Sequence, residues 1–186
     1  MAEELVEMEI SLKPVGVVRS AIKTPLLGAG NSDLERRQRL EKIRAQHRQL
    51  KDLVSELVID PRLGGILDGI EAFSHIVVLY WPHLVAPERR KLLRVHPMGR
   101  KDLPLQGIFA TRSPARPNPV LISTVPLLGR AGNVLRVQSL EAVDGSPIID
   151  IKPYVEVYHG VENPRFPGWL LQIQRDLADD AADKTS

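Results

Sequence analysis

Val120-Leu-Ile-Ser-Thr-Val-Pro-Leu-Leu128 and Val134-Leu-Arg-Val-Gln-Ser-Leu140, on either side of Gly129-Arg-Ala-Gly-Asn133, decide the fold class. Two apolar runs joined by a short glycine-containing segment read as a β-hairpin. Working upstream, His75-Ile-Val-Val-Leu-Tyr-Trp81 is rich in β-branched and aromatic residues, and Pro82 ends it. Ile108-Phe-Ala110 and Val15-Gly-Val-Val18 read as two further short strands, and Ile148 to Val157 as the last. Some six short strands separated by Gly and Pro turns predict a mainly β protein built as a small antiparallel barrel. The strand–helix alternation of a doubly wound sheet is missing. No Gly-x-Gly-x-x-Gly follows a strand, so a dinucleotide-type site has no support.

One segment breaks the strand pattern. Leu40, Ile43, His47, Leu50, Val54 and Leu57 recur at spacings of three and four, the face of an amphipathic helix. We place a helical insertion at about 33–57, with Asn31, Ser32 or Asp33 as its cap. Phe166 to Ala178 is expected to form a short closing helix. The expected organisation is a frayed acidic terminus over 1–9, one barrel domain over 10–175, and a disordered acidic tail over 176–186.

Composition narrows the class. The 186 residues suffice for one good core. Lys and Arg number 25 against 23 Asp and Glu, a net charge of +2, too balanced to argue nucleic-acid binding from charge alone. There is no cysteine, which excludes disulfides, zinc–thiolate sites and thiol nucleophiles. No basic-then-apolar leader and no apolar run near the ~20 residues of a membrane span is present. The expectation is a cytoplasmic protein with no membrane association.

Two segments carry chemistry. Gly107-Ile-Phe-Ala-Thr-Arg-Ser-Pro-Ala-Arg-Pro-Asn-Pro119 runs from an apolar stretch into a loop stiffened by three prolines. Little entropy is lost when a ligand docks on such a loop, and Thr111, Arg112, Ser113, Arg116 and Asn118 become preset polar groups. The alternative is a surface connection with solvated arginines. In Leu140-Glu-Ala-Val-Asp-Gly-Ser-Pro-Ile-Ile-Asp-Ile-Lys-Pro-Tyr154, Asp144-Gly145 is a strong turn signal. The following strand puts Asp150 and Lys152 on one face and Ile149 and Ile151 on the other. A carboxylate inside that apolar run must be paired if buried.

With these runs in view, the chain resembles the TrmO (TsaA-like, YaeB-like) family of S-adenosylmethionine-dependent tRNA N6-methyltransferases. The resemblance rests on five runs in the family's order: Pro14-Val-Gly-Val-Val-Arg-Ser20, Leu67-Asp-Gly-Ile-Glu-Ala-Phe-Ser-His-Ile-Val-Val-Leu-Tyr-Trp81, His96-Pro-Met-Gly99, Gly107 to Pro119, and Val143-Asp-Gly-Ser-Pro-Ile-Ile-Asp-Ile-Lys-Pro-Tyr154. It implies a small β-barrel that binds the methyl donor, and homodimers with the donor site near the subunit boundary. Characterised members methylate threonylcarbamoyl-adenosine beside the tRNA anticodon, so tRNA is the implied partner. Some members carry a C-terminal extension, for which this chain is expected to have no room.

By that resemblance the donor contacts fall on Arg112, Ser113, Pro114, Arg116 and Asn118, on Val143, Asp144, Gly145 and Ser146, and on His75, Ile76 and Ile122. Each has a plainer reading beside it. Asp144 is either a polar anchor for the donor or a turn nucleator. Arg112 is either a bidentate clamp on the donor carboxylate or a surface arginine. His75 is either a donor contact or a satisfied histidine heading an apolar strand. His75, His83 and His96 lack metal-ligand spacing, so no metal is expected. The helix with Arg36, Arg37, Arg39, Lys42, Arg44, Arg48 and Lys51 is either an RNA phosphate contact or a solvated face with opposite charges at neighbouring turns. Tyr80, Trp81, Phe109 and Tyr154 either stack a base or fill the barrel.

Two departures from the family stand out. Where many members have a Pro-x-Gln donor contact, this chain has Ala29-Gly30-Asn31, so Asn31 is the candidate replacement amide. After Pro119 the chain reads Val120-Leu-Ile-Ser in place of the common Ile-Gly-Leu-Ser.

The implied reaction is methyl transfer by in-line displacement, in which the barrel supplies alignment and desolvation. An adenine-type N6 is a poor nucleophile because its lone pair is delocalised into the ring. Some group must orient it and take its proton, and Asp150, Tyr154 or a water are the candidates. Two alternatives stay open: a non-catalytic S-adenosylmethionine sensor or partner protein, and a methyltransferase acting on a different RNA or on a small molecule.

Overall fold

The structure is a computed structural model that describes residues 9–25 and 36–178, with the backbone alone at 36–40, 42 and 178. Strands β1 (Gly16–Arg19), β2 (Val54–Ile59), β3 (His75–Tyr80), β6 (Leu121–Ala131), β7 (Val134–Gln138) and β8 (Pro147–Pro153) close a barrel in the order β1-β2-β7-β6-β3-β8. Every neighbouring pair whose register is assigned is antiparallel. A separate two-stranded ribbon pairs β4 (Arg94–Val95) with β5 (Gln106–Gly107). Among the described residues the α-helices are α1 (Arg36–Lys51), α2 (Glu156–His159) and α3 (Gly168–Ala178).

The hairpin expected at 120–140 is β6 and β7. They extend to Ala131 and Val134, so the turn tightens to Gly132-Asn133, where Gly132 takes a φ of +61°. Asn133 donates its side-chain amide to the Ile59 carbonyl at 2.5 Å, tying this turn to the end of β2. Alternate residues of β3, β2 and β7 point inward, and Ile76, Val78, Tyr80, Leu57, Leu135 and Val137 form one contiguous core with Val18, Leu140 and Ile148. Burial pushes the Tyr80 phenol up to about 12, against a bond to Ser123 that works the other way.

The sequence expectations need four corrections. The insertion expected over 33–57 is too long, because the helix ends at Lys51 and Val54–Ile59 is strand β2. Val54-Ser-Glu-Leu-Val-Ile59 alternates exposed and buried positions, and Leu57 lies in the barrel core, so a period of two prevails over the three–four spacing. Ile108–Ala110 is a 3-10 turn and not a strand: Ile108 is buried, Phe109 stands out into solvent, and the Thr111 hydroxyl and N–H both donate to the Ile108 carbonyl. The last strand stops at Pro153, and Val155 instead caps the short helix α2. Finally, the region assigned to the acidic tail begins inside α3, which runs to Ala178.

That last correction has a physical cause. Arg100 is 2% exposed and donates to Asp102 at 2.7 Å and to Asp176 at 2.5 Å. Arg44 of α1 donates to the Asp176 carbonyl at 2.8 Å. Asp176 therefore holds α3 to both α1 and the loop after β4, and Ile43 and Ile173 are buried on the same two helices.

Candidate functional site

All barrel pairs run antiparallel, so the strand register defines two ends. Tyr80 pairs with Leu121 of β6 and Ile148 of β8, while at the other end of β3 His75 pairs with Pro126 and Ile76 with Pro153. The first end collects the start of β6, the start of β8 and the end of β1. It therefore receives both chemistry-bearing segments: the proline-braced loop that leads into β6 and the aspartyl-glycine turn that leads into β8.

The aspartyl-glycine turn is tightly built. Gly145 takes a φ of +79°, which glycine adopts without strain. The Asp144 N–H donates to the Ile22 carbonyl at 2.7 Å and the Gly145 N–H to the Val18 carbonyl at 2.8 Å. The Asp144 carboxylate accepts the Ser20 N–H at 2.9 Å on one oxygen and Lys23 Nζ at 2.8 Å on the other. The Lys23 bond first, and the Ser20 N–H second, hold the Asp144 carboxyl below the usual carboxylate range. Ser146 is buried, with its hydroxyl 3.4 Å from His83 Nδ1. Asp144 is thus an anion at neutral pH, fixed in place, on the wall of an open cavity of about 570 Å³. Arg19, Ser20, Lys23, Glu56 and Arg136 are also on that wall.

The proline-braced loop is held by more than its prolines. Arg116 Nε donates to the Ser113 carbonyl at 2.8 Å and its Nη2 to the Thr111 carbonyl at 2.5 Å. The Ser113 hydroxyl accepts the Ala115 N–H and the Thr111 hydroxyl accepts the Ser113 N–H, both at 3.3 Å. These groups brace the loop from within, and Ala115 beneath them is buried. Arg112 differs: it is exposed, and Nη2 donates to the Ile122 carbonyl at 2.6 Å. That bond lays the guanidinium along the start of β6, with Ile122 exposed beside it. Asn118 is exposed and its carbonyl accepts the Val120 N–H at 2.8 Å.

The remaining expected residues lie at the opposite end. His75 is exposed, with Nδ1 2.9 Å from the Ser74 hydroxyl, and its ring meets Tyr154 edge-on at 6.4 Å. Tyr154 in turn stacks on His159 at 5.2 Å. Ile76 is fully buried in the core. The six residues of β3 hold His75 roughly 16 Å from the Asp144 end. Within one protomer, then, the expected donor contacts divide into two groups. Asn31 lies outside the described residues.

The two candidate proton acceptors are also apart. Asp150 pairs with Leu79 mid-strand, accepts the Ile151 N–H at 2.9 Å and forms an ion pair with Lys152 at 2.7 Å. It is half-exposed on the outer face, so the pairing required of a buried carboxylate is met by Lys152 in solvent. Tyr154 stands beside His75 at the far rim. Of the three histidines weighed for a metal, His83 adjoins Ser146, His75 lies at the other end, and His96 Nδ1 contacts the Leu103 carbonyl at 2.8 Å. Among the described residues no three His, Asp or Glu side chains gather as metal ligands. Among them, too, no helix is long and apolar enough to cross a membrane.

Sequence reasoning missed Lys23, Glu56 and Arg136. Lys23 sits 121 residues from Asp144, and no local pattern links them. Arg19 and Ser20 close the quoted Pro14–Ser20 run, which was the available signal.

Known proteins are similar to this chain in sequence and fold. Residues 37–159 match the tRNA-methyltransferase O N-terminal domain. A probable S-adenosyl-L-methionine-binding protein of Methanothermobacter thermautotrophicus is 46% identical over 150 residues, which cover 81% of this chain and 93% of that protein. A protein of Pyrococcus abyssi with the same description is 36% identical over 87% of this chain and 76% of its own length. The crystal structure of TrmO from Pseudomonas aeruginosa superposes with a TM-score of 0.60 at 28% identity, over 85% of this chain. This chain spans 61% of the length of that TrmO.

Proposed function

The chain belongs to the tRNA-methyltransferase O family, and on that premise we propose that it binds S-adenosylmethionine and transfers its methyl group to tRNA, at N6 of threonylcarbamoyl-adenosine next to the anticodon. The observation that supports this reading is that the proline-braced loop and the aspartyl-glycine turn enter the barrel at the same end, into the two strands that flank β3. Both lie among the five runs on which the family resemblance rests.

Each group has a role in that reading. Arg112 offers a charged fork to the donor carboxylate. Asp144, kept anionic by Lys23 and Ser20, accepts donor hydroxyls or amine. The braced backbone of 111–118 needs no reordering to do this. The chemical step is an in-line displacement: the new N–CH3 bond forms as the S–CH3 bond breaks, the sulfonium takes the electron pair, and the amine loses its proton. Alignment and exclusion of water supply the catalysis.

For the His75 rim to contribute to the same donor site, a second subunit would have to supply it. We assign the complete site to a homodimer in which the Asp144 rim of one protomer faces the His75–Tyr154 rim of its partner. Tyr154 then approaches the acceptor amine as the proton-accepting group. Asp150 is directed away from the barrel interior and paired with Lys152, so it is the weaker candidate.

The test uses the full chain, donor labelled in the methyl group, and tRNA with and without threonylcarbamoyl-adenosine. Label entering only the modified tRNA supports the proposal. Donor binding with no transfer to either tRNA points instead to a sensor. Transfer to another RNA or to small metabolites alone points to a different methyltransferase.

A further inference from the structure

The segment between β3 and β4 takes no part in the donor site as described, yet it ties both halves of that site together. Trp81 N–H donates to the Pro147 carbonyl at 2.9 Å, and His83 lies against Gly145 and Ser146. Ten residues after His83 the Leu93 carbonyl accepts the Ile108 N–H at 2.8 Å, and Arg94 pairs with Gly107 at the root of the proline-braced loop. The strap thus spans from one rim of the proposed donor site to the other.

Its charge is lopsided in a chain that is otherwise balanced. Pro87-Glu-Arg-Arg-Lys-Leu-Leu-Arg94 holds four cations and a single carboxylate, while the whole chain carries only +2. The cations are not equivalent. Arg90 is half-buried over the Trp81 ring at 5.2 Å and donates Nη2 to the Val85 carbonyl at 3.1 Å. It pins the strap down. Lys91 and Arg94 are exposed, and Leu93 between them is exposed as well. Helix α1, the other basic element, already uses Arg44 to hold Asp176.

We propose that this strap is an RNA-backbone contact: Lys91 and Arg94, held in place by Arg90 on Trp81, take the phosphates of a nucleic acid whose reacting base lies at the adjoining donor site. The inference rests on the tRNA reading given above. It adds a surface that the family resemblance does not supply. A cation row between the two rims suits a polyanion that must pass over the site, and neutralised phosphates supply most of the sequence-independent affinity in such complexes.

The experiment compares wild-type protein with the double variant Lys91→Gln and Arg94→Gln, using fluorescent tRNA titrated between 50 and 300 mM salt (roughly the range where the electrostatic term is read). Loss of two phosphate contacts flattens the log K against log salt slope by about 1.4 to 1.8 and weakens binding about 25- to 60-fold at 0.1 M salt. Donor affinity by calorimetry stays at the wild-type value and shows that the variant is folded. An unchanged slope and affinity would overturn the strap as an RNA contact while leaving tRNA as substrate. Should wild-type protein bind tRNA no better than an acidic polypeptide of equal charge, the tRNA reading itself falls and this inference with it.

Discussion

Gly16→Ala tests how the barrel closes. Gly16 lies on β1, opposite Ile59 on one side and Ile148 on the other. The β1–β8 seam has only two register pairs, the fewest of any barrel contact. A Cβ at Gly16 meets the Val58 carbonyl oxygen at 2.4 Å and Ile59 Cα at 2.9 Å. Both are backbone atoms in the paired strand and cannot swing aside. The carbonyl must retreat by about 0.6 Å merely to reach a tolerable 3.0 Å contact, which pulls β2 from β1, and overpacking of this kind costs about 2–3 kcal/mol. For a chain of this size that is a fall in Tm of about 4–12 °C, read by circular dichroism. The control is Gly64→Ala, where nothing lies within 4 Å and the change should stay near ~0.5 kcal/mol. Equal Tm values for the two variants would refute the claim that β1 and β2 are packed too closely at Gly16 to admit a side chain. Because β1 also holds the aspartyl-glycine turn through the Val18 N–H bond to the Ser146 carbonyl, displacing it by Gly16→Ala should also loosen the Asp144 rim.

Three further outcomes follow from named contacts. Arg112→Ala removes an exposed guanidinium whose described bond is to the Ile122 carbonyl; calorimetry should show donor affinity down at least ~10-fold, as for loss of a charged hydrogen-bond pair, with Tm unchanged, and undiminished affinity removes Arg112 from the site. Tyr80 is raised to about 12 by burial, so the unfolded chain releases this proton first, and the stabilisation is whole below about pH 10 and lost as pH climbs towards 12. It amounts to about 2–3 kcal/mol, and urea unfolding across that range should steepen in wild type and flatten in Tyr80→Phe. Asp176→Ala strips one of two carboxylates from buried Arg100, costing about 1–3 kcal/mol; hydrogen exchange should show α3 losing protection before the barrel does, and uniform loss contradicts the anchoring role.

What the sequence disclosed, and what it withheld, follows the range of the interactions. The β6–β7 hairpin, β3 and the Asp144-Gly145 turn are local, each set by propensity and a turn within a few residues. β2 was hidden because Leu50, Val54 and Leu57 satisfy the helical spacing as well as Val54–Ile59 satisfies the strand spacing; only closure against β1 and β7 decides between them. Phe109 looked like strand because of its neighbours, but its exposure depends on Ile108 alone being drawn inward. Of the candidate site, Arg112, Asp144 and their loops were proposed from two local segments. Lys23 as the partner of Asp144 was not, nor was the placing of His75 and Asp144 at opposite ends, since both depend on the pairing of strands distant in the chain.

The account stands or falls on a donor site assembled from the Asp144 rim of one subunit and the His75 rim of another. Asp144→Ala and His75→Ala should each abolish methyl transfer when assayed alone. Mixed and allowed to exchange subunits at random, they should regain about one quarter of wild-type activity, since half the dimers are mixed and each has one intact site. A mixture no more active than either variant by itself would contradict the shared site.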